Sequence, residues 1–212
     1  MDLSKPTHIQ ELLKDAIDTA MSYGEFRDLV SELAKKDGTT GPEQSEAYKK
    51  YTTLNDRRMK RWDKTLRISD DRLEAIRDFD EKVYWLVITE SWCGDAAPSL
   101  PVMNRIAEIN GNIEFRIILR SDYPEIMDLF LTEGKQSIPK LIVLDQDYTV
   151  ISTWGPLPTK AAEIAAAYKA KNGVLTADFK EELQQWFNAD KGKDILGDLV
   201  DLLTLKEVGD RS

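Results

Sequence analysis

Cys93 is the only cysteine among 212 residues, and it stands within Ser91-Trp92-Cys93-Gly94-Asp95-Ala96. An apolar run, Val83-Tyr84-Trp85-Leu86-Val87-Ile88, precedes this stretch, and a segment of helical character follows it. A thiol at a strand-to-helix turn lies where the first helix amides favour an anion. That is the setting of a reactive thiolate. Such a group attacks a disulfide or an oxidised thiol, or is itself oxidised to a sulfenic acid. Three positions on, where a dithiol enzyme has its second cysteine, stands Ala96. A mixed disulfide on Cys93 therefore finds no resolving thiol in the same chain.

Asp95 acts in two opposed ways. A carboxylate in the first helical turn complements the helix dipole. The same charge beside Cys93 disfavours the thiolate. Glu90, just before the motif, is a second nearby carboxylate. It reads as the solvated end of a strand, with proton relay as its alternative role.

The elements that position Cys93 follow from apolar periodicity. Residues 8–36 read as one or two helices with a break at Gly24, and 43–66 as a long helix through Tyr48, Tyr51, Leu54, Arg58, Trp62 and Leu66. Ser69-Asp70-Asp71 caps a short helix ending near Phe79. From Val83 the pattern becomes strand 83–89, helix 96–110, strand 113–119, helix 124–132, strand 140–144, strand 148–154 and helix 158–171. Asp145-Gln146-Asp147 is a hairpin turn between apolar runs, and Asn172-Gly173 ends a helix. Two helices follow, over 175–190 and 194–206. The expected architecture is an α/β fold with a four-stranded mixed sheet. Its first strand is central and parallel to the second, and an antiparallel hairpin completes the sheet. Three regions follow: a helical extension over 1–80 packed on the core, a central domain over 81–173, and C-terminal helices over 174–212.

Composition narrows the function classes. Apolar residues make up 42% and charged residues 32%, which is ordinary for a globular chain. The net charge of −9 disfavours non-specific nucleic-acid binding. No stretch approaches the roughly 20 apolar residues of a membrane span, and no secretory signal is visible at Met1-Asp2-Leu3. One cysteine cannot form an intrachain disulfide, and a cytoplasmic, reducing location is the expectation. With one His and one Cys, neither a metal site nor a cofactor is expected.

From about Val83 to Gly173 the chain resembles the thioredoxin family. Four features carry the resemblance, in order. Trp92-Cys93-Gly94 follows a buried strand. Pro101, eight residues after Cys93, stands where the family kinks its active-site helix. Ser137-Ile138-Pro139 precedes the strand Leu141-Ile142-Val143-Leu144, as the family's cis-proline loop does. Trp154-Gly155 closes the hairpin where the family has a glycine. With its helical preface, the chain looks like a bacterial thioredoxin-like subgroup that has a Trp-Cys-Gly-Asp turn. The resemblance implies that Ile138 and Pro139 pack beside Cys93 and that the Ile138 backbone pairs with an extended partner. It also marks departures: Ala96 replaces the resolving cysteine, and Val87 occupies the position where many thioredoxins bury an aspartate.

The expected site is therefore Cys93 and Asp95 for chemistry, with Trp92, Gly94, Ile138, Pro139 and Trp154 for binding. Trp92 and Trp154 flank a groove as exposed aromatics, whereas Trp62, Trp85 and Trp186 fill the core or pin helices. The run Arg57, Arg58, Lys60, Arg61, Lys64 and Arg67 reads as a solvated helix face that gains a role if it folds over the Cys93 turn. His8 caps or solvates the first helix. The leading reading is a monothiol thiol–disulfide oxidoreductase acting on a protein or a low-molecular-weight thiol or disulfide, with an external thiol resolving the adduct. It predicts a depressed thiol pKa. The alternative is a non-catalytic binding module that holds an extended peptide or partner beside Pro139. A third possibility is a purely structural role, with the helical extension closing the groove.

Overall fold

A computed structural model describes residues 6–204. Helices α1 (Pro6–Thr19), α2 (Tyr23–Lys35), α3 (Glu46–Thr65) and α4 (Asp70–Asp78) precede strand β1 (Val83–Thr89). Then come α5 (Ala96–Ile109), β2 (Ile113–Leu119), α6 (Pro124–Leu129), β3 (Lys140–Leu144), β4 (Val150–Trp154), α7 (Thr159–Asn172), α8 (Ala177–Asp190) and α9 (Lys193–Thr204). The sheet is four-stranded in the order β2-β1-β3-β4. β1 is parallel to β2 and antiparallel to β3, and β4 pairs antiparallel with β3. All seven β1 residues are buried. A strand covered on both faces and paired on both sides favours a near-continuous apolar run, which Val83–Ile88 supplies. β2, at the sheet edge, carries the half-buried pair Glu114 and Arg116, joined at 2.9 Å.

Several element ends differ from the sequence expectation, where hydrogen bonds and turn conformations outweigh the apolar pattern. The break between the first two helices falls at residues 20–22, and Gly24 lies in the first turn of α2. Met21 is drawn into a bridge with Ile117, and Ser22 closes a capping box with Glu25. α6 stops at Leu129, because Glu133 and Gly134 take positive φ and turn Thr132 back onto Lys135. β4 starts at Val150, because Asp145 Oδ1 accepts the Asp147 and Thr149 amides and Tyr148 turns at φ 61°. Ser69 holds the N-cap position of α4 without a side-chain cap bond to the backbone. Residues 205 and 206 of the expected last helix lie outside the described residues.

α3 corrects the sequence reading most. Its buried face is Thr52, Asn55, Asp56, Met59 and Trp62, while Tyr51 and Leu54 are exposed. The helix is rotated from the stripe that apolar spacing selects, because its polar residues have partners. Asp56 pairs with Arg27 of α2 and Lys60, and Asn55 and Thr52 bond the turn that carries Cys93. α3 and α9 pack on α5, and α2 packs on α3 and β2. α9 buries Ile195, Leu196, Leu199, Val200 and Leu203. No helix among the described residues is long and apolar enough to cross a membrane.

Candidate functional site

β1 ends at Thr89, and the chain turns through Glu90–Asp95 into α5. The Cys93 amide donates to Glu90 O at 3.1 Å, which folds the turn on itself. From α3, Asn55 Nδ2 donates to Ser91 O and Cys93 O, both at 3.0 Å. Around Ser91 lies a buried hydroxyl cluster. Its Oγ meets Thr52 Oγ1 at 2.8 Å and accepts from the Thr40 amide at 3.0 Å. The Ser91 amide donates to Thr40 Oγ1 at 2.8 Å. Glu90 is only 2% exposed, so it is not a solvated strand end. Its Oε1 accepts the Ser121 amide at 2.8 Å, and its Oε2 accepts from Thr40 Oγ1. Both carboxylate oxygens are thus partnered, as a buried polar group requires.

Cys93 Sγ points at the loop before β3 and donates to Ile138 O at 3.3 Å. The Ile138–Pro139 and Gly155–Pro156 peptides are both cis. Gly155 lets the two loops close: a Cβ there would lie 2.3 Å from Pro139 O, and its φ is +101°. Trp154 is buried, and its Nε1 donates to Asp198 Oδ2 of α9 at 2.8 Å. It is therefore part of the wall behind the cis loops and not an exposed flank. Trp92 is half-buried, stacked on Tyr48 with centroids 4.2 Å apart and planes 6° apart. The Arg120 guanidinium lies over the same ring, 4.9 Å from its centroid.

Cys93, Ile138 and Pro139 thus meet at one point, with Trp92 and Gly94 on the turn beside them. The basic run contributes one member: Arg58 Nη1 lies 3.8 Å from where a Gly94 Cβ would stand, and Gln184 of α8 lies 3.9 Å from it. Arg57, Lys60, Arg61, Lys64 and Arg67 are exposed. His8 lies on α1. Val87 is fully buried, so the turn has no buried aspartate at that position. Sequence reasoning did not find Asn55, Tyr48, Arg120 or the Thr39–Thr40 segment. Their partners are distant in the chain, and only the helical placement of Tyr48 and Asn55 on α3 was available as a signal.

The electrostatics overturn the expected depressed thiol pKa. Burial, the largest effect, and then the Asp95 charge push Cys93 up to about 12. The Ala96 and Asp95 amides and Arg120 oppose them and lose. Cys93 is 6% exposed. Burial likewise pushes Asp95 up to about 6, against the pull of Lys180 and Arg58. At neutral pH the closed site holds a protonated thiol beside a mostly ionised carboxylate.

A strand-to-helix turn carrying one thiol, facing a cis-proline loop on a β-α-β unit closed by a hairpin, defines a thioredoxin-type α/β protein. A thioredoxin family model matches residues 41–169, more than half of the chain, and the chain belongs to that family. Two solved structures share the fold. One is a protein of unknown function from Pseudomonas aeruginosa, 17% identical, with a TM-score of 0.57, covering 89% of this chain and 94% of that one. The other is an HIV epitope-scaffold, 16% identical, with a TM-score of 0.56, covering 87% of this chain and 98% of that one. No curated protein matches the sequence.

Proposed function

We propose that the protein is a single-cysteine thiol–disulfide oxidoreductase whose thiol is covered at rest and reacts from an opened form. The observation that carries this reading is the placement of Cys93 Sγ. It lies 3.3 Å from Ile138 O, beside Pro139, with the Asp95 and Ala96 amides turned toward it. A substrate laid along the cis-proline loop would present its sulfur there. Burial is the largest force holding the thiol neutral. Exposing the turn to water removes that force and leaves the amides and Arg120 against Asp95 alone. In the exchange, the Cys93 thiolate attacks one sulfur of a disulfide. The Cys93–substrate bond forms and the second substrate sulfur leaves as a thiolate. The thiolate of an external thiol then attacks the adduct, freeing Cys93 and carrying away the first sulfur in a new disulfide. Ala96 is why that second thiol must come from outside.

The test is the pH dependence of Cys93 alkylation by iodoacetamide, with mass spectrometry of adducts formed with added disulfides. The closed form predicts alkylation slower than that of a cysteine peptide at pH 7. The rate should rise about tenfold per pH unit with no plateau below pH 10. Mixed disulfides on Cys93 should form and be released by added thiol. Failure to form any adduct with the folded protein, at any pH up to 10, would remove the redox reading.

The covered thiol itself favours a second reading, a non-catalytic module that binds a partner beside Pro139. Cys93→Ser would then leave partner binding unchanged, whereas the redox reading requires that this variant lose covalent capture.

A further inference from the structure

A cavity of about 270 Å³ opens beside the Cys93 turn, lined by Tyr48, Glu90, Trp92, Arg120, Ser121 and Gln136. Its volume falls just below the roughly 300–1,000 Å³ of sites for drug-sized ligands, so its occupant is small. The charges of the lining are unequally used. Glu90 has both oxygens bonded, to the Ser121 amide and to Thr40 Oγ1. Arg120 gives one guanidinium bond, Nη1 to Gln136 O at 3.1 Å, and lies over Trp92. Among the described residues, no carboxylate stands within ion-pair distance of it. A guanidinium carries five N–H donors in a planar fork. Here a carbonyl and an indole fix its plane while most donors go unclaimed. That is a pre-oriented fork for a carboxylate, which such a group binds through two parallel bonds. Arg120 also lies close enough to Cys93 to act on its charge.

We infer that the external thiol of the exchange is a low-molecular-weight thiol bearing a carboxylate, and that this carboxylate docks on Arg120 in the cavity beside Trp92. The inference rests on the redox reading of Cys93. Exposed Glu43 on the same rim and the net charge of −9 both repel anions in general. A preference for a carboxylate must therefore come from Arg120 and not from the protein's overall field.

Three disulfides of similar size separate the sources: 3,3′-dithiodipropionate (anionic), 2-hydroxyethyl disulfide (neutral) and cystamine (cationic). Their rates of adduct formation on Cys93 are compared in the full-length protein. The expected ratio is about tenfold in favour of the dicarboxylate over the neutral disulfide, the size of one charge-assisted contact. Arg120→Ala should abolish or reverse that ratio, and Arg120→Lys should keep only part of it. The ratio is the readout, because removing Arg120 also lowers the absolute rate with every disulfide. Equal ratios in wild type and Arg120→Ala would overturn the inference, as would a preference for cystamine. Binding is followed separately with 3-(methylthio)propionate, which cannot react, through the Trp92 indole N–H signal of the Cys93→Ser protein. A saturable shift that disappears on adding Arg120→Ala supports the carboxylate site even if no disulfide reacts, in which case only the redox reading fails. No shift overturns the site.

Discussion

Asn55 Nδ2 donates to the carbonyl oxygen of Cys93 at 3.0 Å, and the same nitrogen reaches Ser91 O at the same distance. A helix from the N-terminal third of the chain thus fixes the backbone of the thiol turn. Asn55→Ala leaves two buried acceptors without a donor, which costs about 2 kcal/mol. The expected result is a lower urea midpoint together with faster Cys93 alkylation at fixed pH. A lower midpoint with unchanged alkylation would show that Asn55 holds the fold but not the cover.

Cys93 should make the protein sensitive to alkali. Its folded pKa, about 12, lies above the ordinary value of 9.0. A group raised in this way contributes stability that is whole below pH 9 and is lost as pH climbs toward 12. The difference across that window is on the order of 4 kcal/mol. Chemical denaturation of wild type and Cys93→Ser between pH 8 and 11 measures it: wild type should lose stability more steeply. Parallel curves would mean that the thiol is not buried in solution.

Asp95 works against both stability and thiolate. Its folded pKa, about 6, exceeds the ordinary 3.8, so its favourable contribution is complete below pH 4 and vanishes as pH passes 6. Asp95→Asn should therefore stabilise the protein at pH 7 by about 2 kcal/mol, an upper figure for a half-buried group. At pH 4 it should have little effect. The same variant should speed Cys93 alkylation, since the neighbouring negative charge is gone. A stabilisation equal at both pH values would point to packing and not to charge.

The rear wall of the site has no tolerance at Gly155. A Cβ there would meet Pro139 O at 2.3 Å at a φ of +101°. Gly155→Ala must displace one cis loop or the other, with a loss of about 3 kcal/mol or more. Thermal denaturation and the rate of Cys93 alkylation should both respond, because Pro139 adjoins Ile138, whose carbonyl takes the thiol.

The sheet was legible because its strands announce themselves locally. The strands read at 83–89, 113–119 and 140–144 match β1, β2 and β3 to the residue, and Cys93, Ile138 and Pro139 do converge. What escaped is long-range and polar. The buried face of α3 presents Thr52, Asn55 and Asp56 at helical spacing. Hydrophobic periodicity therefore passes over it and selects Tyr51 and Leu54, which face water. Glu90 looks solvated until a threonine hydroxyl fifty residues earlier is found on its carboxylate. The state of the thiol depends on burial, which tertiary packing sets, so it could not be read from the motif.

One contact far from Cys93 covers an edge of the sheet. Met21 exchanges two backbone bonds with Ile117, at 2.9 and 2.8 Å, along the outer side of β2. An unpaired strand edge is a template on which other chains polymerise. The α1–α2 connector occupies the middle of that template, so sheet growth cannot start from β2. Among the described residues, the hairpin strand β4 is the margin left open. Its pairing with β3 shifts register at Val143/Leu144, and it ends at Gly155 and Pro156. A fold that offers one short, irregular margin resists fibrous self-association without help from a disulfide.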